Sequence, residues 1–196
     1  MLVSAILVVL PDTLILTHGA GSNRNAPLLV AVDRAISALG IRVVRMNLPY
    51  RDERPTGPPR PGDAARDRAA LRDAVLKARS EQTGRVFLGG HSYGGRQSSM
   101  LAAEEPGLAD GLLLLSYPLH PPRKPADLRT AHFPALQTPA LFIHGTRDPF
   151  GTPEEMETAL KLIPAPTTLV IIDRAGHELK STGIEERIAK EFALLL

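Results

Sequence analysis

Short apolar runs alternate with longer amphipathic stretches along the chain. The runs "TLILTH" (13–18), "IRVVRM" (41–46), "RVFLGG" (85–90), "GLLLLSY" (111–117), "PALFIHG" (139–145) and "TTLVIID" (167–173) are nearly continuous in aliphatic residues. A strand with one wet face would alternate apolar and polar positions, so these runs predict strands covered on both faces. Between them, "NAPLLVAVDRAISAL" and "DAARDRAALRDAVLKARSE" repeat apolar residues at spacings of three and four, as a helix facing a sheet does. "SYGGRQSSMLAAEE", "TPEEMETALKLI" and "GIEERIAKEFALLL" follow the third, fifth and sixth runs and read the same way. "TPEE" carries a helix start: a threonine cap, proline at the first position and acids in the first turn.

This order predicts an α/β fold, a mainly parallel sheet of six or seven strands with helices on both faces. The seventh strand would come from the initial "LVSAILVVL" at an edge of the sheet. Two stretches resist regular structure. "PYRDERPTGPPRPGD" (49–63) carries five prolines, and "SYPLHPPRKPADLRTAHFPALQTP" (116–139) is long and proline-rich. Loops of this length in a compact domain often serve an active site. No internal repeat or linker divides the chain, so residues 1–196 read as a single domain.

Composition narrows the function classes. The net charge is +2 from 23 basic and 21 acidic residues, too small an excess to point to a polyanionic partner. Arginines cluster between Arg42 and Arg72, but Asp52, Glu53, Asp63, Asp67 and Asp73 are interleaved among them, the pattern of a salt-bridged surface rather than a nucleic-acid face. There is no cysteine, which removes thiolate nucleophiles, disulfides and cysteine metal sites together. "MLVSAILVVLP" lacks a basic start and a small-residue cleavage site, and no segment approaches membrane-spanning length. The expectation is a soluble cytoplasmic protein with no nucleic-acid or membrane partner.

The chemistry concentrates around one serine. Gly90-His91-Ser92-Tyr93-Gly94 matches G-x-S-x-G, with a strand-like run leading in and a helix-like run leading out. So sharp a strand-to-helix turn leaves no room for Cβ atoms two positions either side of the serine, which explains Gly90 and Gly94. The strained turn would lift the Ser92 hydroxyl above the carboxyl edge of the sheet.

A serine hydroxyl needs a base. Of the histidines, His177 in "DRAGHEL" follows the last strand on a loop at the carboxyl edge, where ligands bind in such sheets. His18 and His144 each end a strand in an "HG" pair and suit packing or loop-orienting roles, while His91 belongs to the elbow itself. The imidazole in turn needs an acceptor for its other nitrogen. Asp148, in "FIHGTRDPFG", lies at the same edge and is favoured over Asp173, which ends its strand just before the histidine loop. The catalytic candidates are therefore Ser92, Asp148 and His177, in the chain order of the α/β-hydrolase architecture.

Acyl transfer also needs preplaced donors for an oxyanion. The backbone N–H of Tyr93 is one candidate, and "THGAGSNRN" (17–25) offers a second, from Ala20. That glycine-rich loop fits neither phosphate-binding pattern. The histidines fall on separate loops, so no metal site is expected. Tyr50, Tyr117, His120 and Phe150 lie on neighbouring loops and are candidates to line a substrate pocket.

Taken together, "HGAG", "GGHSYGGR", "SYPLHPP" and "HGTRDPF…AGH" resemble an α/β-hydrolase. More narrowly, "GGxSxGxR" followed by "SYPLH" is similar to the small subfamily related to dienelactone hydrolases whose eukaryotic members include testis-expressed proteins and chromatin-complex subunits. The likeness runs from about residue 13 to the end and implies an α/β-hydrolase fold without a large lid, with a triad at Ser92, Asp148 and His177. It departs from dienelactone hydrolases proper, which use cysteine where this chain has Ser92. The function expected is a cofactor-independent serine hydrolase of a small ester or thioester. Peptidase, perhydrolase or acyltransferase chemistry on the same triad is the alternative, as is a non-catalytic interaction module on the same scaffold.

Overall fold

Among the described residues six strands form one sheet in the order β2-β1-β3-β4-β5-β6, and every neighbouring pair is parallel. They are β1 Thr13–Thr17, β2 Arg42–Met46, β3 Val86–His91, β4 Gly111–Leu115, β5 Ala140–Gly145 and β6 Thr167–Ile172. The computed structural model describes residues 11–81 and 84–195. The segment expected to add an edge strand, 2–10, lies outside them. Each of the six expected strands is present, within two residues of its sequence bounds.

The helices are α1 Pro27–Ser37, α2 Pro49–Glu53, α3 Asp63–Ser80, α4 Tyr93–Glu104, α5 Pro153–Leu160 and α6 Ile184–Ala193. Residues along each strand point alternately to the two faces, which is why the apolar runs are continuous. On one face Leu14, Leu16, Phe87, Leu113 and Leu141 pack with Leu29, Val32 and Ile36 of α1 and Ile188 and Phe192 of α6. On the other, Ile15, Leu88, Leu112, Leu114 and Phe142 pack with Leu71 and Val75 of α3, Leu101 of α4 and Met156 of α5.

The first proline-rich stretch differs from its expectation, because its opening residues form α2. Pro49 stands in the first turn, where its missing N–H costs nothing and its φ suits a helix. Arg54, extended with φ −131° and ψ 108°, ends the helix just before Pro55, as the residue before a proline tends to. The second stretch holds only one 3₁₀ turn, Phe133–Ala135, so no helical lid is inserted between β4 and β5. Among the described residues no helix is long and apolar enough to cross a membrane.

The strand order places the site. From β1 the chain steps outward to β2, then crosses back so that β3 lies on the other side of β1. The loops leaving the carboxyl ends of β1 and β3 therefore diverge onto opposite faces, and the crevice between them is where ligands bind in open α/β sheets. Residues 18–22 and Ser92 stand at that point.

Candidate active site

β3 ends at His91, Ser92 caps α4, and Tyr93 is the first helical residue. Ser92 has φ 51° and ψ −115°, a conformation that costs a residue with a Cβ on the order of 1–3 kcal/mol. Crowding holds it there. A Cβ on Gly90 would lie 2.7 Å from the Thr17 carbonyl oxygen and 2.8 Å from the Gly94 carbonyl carbon. One on Gly94 would lie 2.6 Å from the His18 carbonyl oxygen. Both clashes are with backbone, so glycine at these positions is what lets β1, β3 and α4 approach. The Ser92 N–H donates to the Leu115 carbonyl at 2.8 Å, anchoring the turn to β4.

Ser92 Oγ lies 2.8 Å from His177 Nε2. His177 Nδ1 lies 3.0 and 2.9 Å from the two carboxylate oxygens of Asp148. A carboxylate on Nδ1 makes that nitrogen the donor, which leaves Nε2 as the acceptor facing the serine hydroxyl. The Asp148 side chain is 0 % exposed and that of His177 16 %. Asp148 Oδ1 also accepts the Phe150 N–H at 2.9 Å, a second donor to the buried carboxylate. Asp173, the rival carboxylate, is exposed and pairs with Arg174.

Three further histidines hold loops in place. His91 Nε2 donates to the His177 carbonyl at 2.8 Å, tying the elbow to the histidine loop. His91 is buried, and that burial is the chief cause pushing its pKa down. His18, fully buried, donates from Nδ1 to the Gly19 carbonyl at 2.9 Å and accepts the Leu48 N–H on Nε2 at 3.1 Å. Burial pushes its pKa down as well, in keeping with a neutral ring serving as donor and acceptor at once. His144 donates from Nε2 to the Gly151 carbonyl at 2.8 Å beneath the Asp148 loop.

Tyr93, at the start of α4, has one of the N–H groups that no intrahelical carbonyl can accept. Ala20 lies between two tethered peptide groups. The Gly19 carbonyl accepts from the Ser22 N–H at 3.1 Å as well as from His18. The Ala20 carbonyl accepts the Tyr50 hydroxyl at 3.0 Å.

Of the four residues expected to line a pocket, only Phe150 presents a half-buried ring at the candidate triad, with its centroid 4.3 Å from that of His177. Tyr50 is 0 % exposed and serves the β1 loop through its hydroxyl. Tyr117 is 1 % exposed and belongs to the core. Its ring packs against Phe133 and Phe142 at 5.3 and 5.9 Å, and its hydroxyl donates to the Arg129 carbonyl at 2.6 Å. The left-handed backbone of Ser116, φ 47°, redirects the chain after β4, which a reading of the apolar run could not show. His120 is 5 % exposed and braces two loops, donating to the Pro121 carbonyl at 2.8 Å and pairing with Glu155 at 3.2 Å. Among the described residues no group of three histidines or carboxylates is arranged to hold a metal ion.

Comparison with known proteins agrees with this architecture. A dienelactone hydrolase from Anabaena variabilis superimposes with a TM-score of 0.75 at 23 % identity, over 95 % of this chain and 85 % of that one. Est1E from Butyrivibrio proteoclasticus gives 0.77 at 17 % identity, over 95 % and 89 % of the two chains. An α/β serine hydrolase without a lid from Xanthomonas campestris gives 0.74 at 22 % identity, over 98 % and 86 %. At such identities these structures speak for the fold. The sequence itself matches the family model described as "Alpha/beta hydrolase domain" over residues 11–193, and the chain therefore belongs to the alpha/beta hydrolase domain family.

Proposed function

We propose that this protein is a serine hydrolase that cleaves a small ester or thioester through an acyl-enzyme on Ser92. The observation that carries the reading is the unbroken hydrogen-bonded sequence Asp148–His177–Ser92, with the hydroxyl 2.8 Å from the base and the base 2.9 Å from a buried carboxylate. His177 Nε2 takes the hydroxyl proton as Oγ attacks the substrate carbonyl carbon. The resulting oxyanion is met by the N–H groups of Tyr93 and Ala20. As the tetrahedral species collapses, the bond to the leaving alcohol or thiol breaks, and His177 returns the proton to it. Water then loses a proton to His177 and attacks the acyl carbon; as the bond to Oγ breaks, His177 passes that proton to Ser92, and the acid leaves. Asp148 holds the ring in one tautomer and stabilises its charged form.

The site's setting favours small, open substrates. The β4–β5 connection carries no helical lid, and the candidate nucleophile stands at the rim of the sheet. The narrower kinship with the dienelactone-hydrolase-related subfamily rests on "GGHSYGGR" and "SYPLH", and the absence of cysteine suits a cytoplasmic home. A fluorophosphonate probe tests the reading. It is expected to form one adduct, on Ser92, that is abolished by Ser92→Ala. Folded wild-type protein that neither labels nor turns over p-nitrophenyl esters of any chain length would sink the proposal.

A further inference from the structure

Arg51 lies in α2, whose backbone the proline-rich sequence gave no reason to expect as helix, and it is 5 % exposed. A buried guanidinium ordinarily faces a carboxylate, because desolvating a lone charge costs several kcal/mol. Here the acids of the region are engaged elsewhere. Asp63 pairs with Arg54 at 2.5 Å and Glu53 with Arg66 at 2.6 Å. Asp52 accepts from Asn47 at 2.7 Å and Asp67 from Tyr93 at 2.8 Å. Arg51 instead donates to three backbone carbonyls: Ala20 at 2.8 Å, Gly57 at 2.8 Å and Arg54 at 3.0 Å. Its Nε is buried with no partner, so the side chain is not arranged for its own solvation.

We propose that Arg51, with Tyr50 beside it, is a positioning residue for the oxyanion site, clamping the Ala20–Gly21 peptide and so holding in place the loop that carries the Ala20 N–H. The inference rests on the hydrolase reading above. A trans peptide is planar, with its C=O and N–H pointing opposite ways. The Gly19 carbonyl, held by Ser22 and His18, sets the direction of the Ala20 N–H. That alone leaves the next peptide free to turn, and Gly21 would oppose it little: a Cβ there would meet nothing within 4 Å. Fixing the Ala20 carbonyl from Arg51 at 2.8 Å and Tyr50 at 3.0 Å removes that freedom. Both peptide planes flanking Ala20 are then set before substrate arrives, which is what makes an oxyanion donor effective. The guanidinium suits the task because its rigid fork reaches the 20, 54 and 57 carbonyls at once, whereas a lysine ammonium on a flexible stem would not hold all three.

The test compares wild type with Arg51→Met, Arg51→Lys and Tyr50→Phe, each checked for its unfolding midpoint. Arg51→Met is expected to lower kcat for p-nitrophenyl acetate by about 10²-fold with little change in KM, the size seen when an oxyanion donor is lost. It should weaken an arylboronic acid, a mimic of the tetrahedral species, by a similar factor. Added methylguanidinium should restore part of kcat, and Arg51→Lys should fall between. Tyr50→Phe keeps the ring and loses one clamp bond, so a smaller loss of about fivefold is expected. Amide exchange at Ala20 and Gly21 should quicken in Arg51→Met while β1 amides hold. Folded Arg51→Met with wild-type kcat, or with unaltered exchange at Ala20 and Gly21, overturns the clamp. So does a kcat loss that only tracks the unfolding midpoint without rescue. Should Arg51→Met not fold, unchanged boronate affinity in Tyr50→Phe overturns it. A wild type inert to both ester and fluorophosphonate rejects the hydrolase reading itself, and the exchange measurement then decides the clamp alone.

Discussion

Phe150 braces both His177 and Asp148: its ring lies 4.3 Å from that of His177, tilted 34°, and its N–H donates to Asp148 at 2.9 Å. One residue thus fixes the imidazole from its face and the carboxylate from its edge. The backbone bond survives any substitution, but the ring contact does not.

Phe150→Ala is therefore expected to loosen His177 alone. Misplacing a base by a fraction of an ångström costs rate rather than folding, so kcat should fall about tenfold. Leucine, which refills the space, should recover much of it. Parallel ester turnover and fluorophosphonate labelling rates would check this, and equal rates in the alanine variant and wild type would refute it.

Asp148→Asn keeps the shape of a side chain that is 0 % exposed, so the fold should persist. An amide can donate to Nδ1, which favours the tautomer with its proton on Nε2 and removes the acceptor facing Ser92. A loss in kcat of about 10³–10⁴-fold is expected, with the unfolding midpoint nearly unchanged. Asp173→Asn, at an exposed carboxylate, should leave kcat as it is.

Gly94→Ala tests the elbow. Its Cβ would stand 2.6 Å from the His18 carbonyl oxygen and 2.7 Å from Thr17 Cγ2, so β1 and α4 must separate. A loss of about 2–4 kcal/mol in denaturant unfolding is expected, together with loss of turnover, since the same strand end carries the Ala20 loop. Gly21→Ala, where a Cβ meets nothing within 4 Å, should be far milder in stability.

His132 is expected to supply a pH dependence of stability away from the candidate triad. Burial, reinforced by the Arg96 and Arg68 charges, pushes its pKa from 6.5 down to about 4, while Nε2 bonds Ser99 Oγ at 2.9 Å. The unfolded chain then binds a proton between those values that the folded chain does not, so stability should fall as pH drops from about 6.5 toward 4. Allowing for partial solvent screening, the loss is on the order of 2 kcal/mol. Carboxylates titrate in the same range, so the informative quantity is the difference between wild type and His132→Gln. A slope identical in the two proteins would show that His132 is not the group responsible.

The elements that could be read from the chain are those whose cause is local. The continuous apolar runs specify strands buried on two faces, and their alternation with helical spacing leaves few arrangements but a parallel sheet. Gly90 reports a partly local cause, because the atoms a Cβ there would strike include its own chain four residues on, whereas a Cβ on Gly94 would strike Thr17 and His18 at the end of β1. Chain order brought Ser92, Asp148 and His177 forward together, since each follows a strand and the carboxyl ends of parallel strands share one edge.

What the sequence by itself determined, then, was the sheet, the elbow and the edge on which the candidate site would stand. Tertiary structure decided how the side chains around it are used. Tyr117 turned into the core at the left-handed Ser116, and His120 became a brace against Glu155. Arg51, inconspicuous among the arginines of residues 42–72, came to hold the Ala20 carbonyl 31 positions away. Such roles depend on which loops meet after crossing the sheet and on which carbonyls they leave unpaired. No pattern of neighbouring residues encodes that, because the partners become neighbours only once β2 has been laid beside β1 and β5 beside β4.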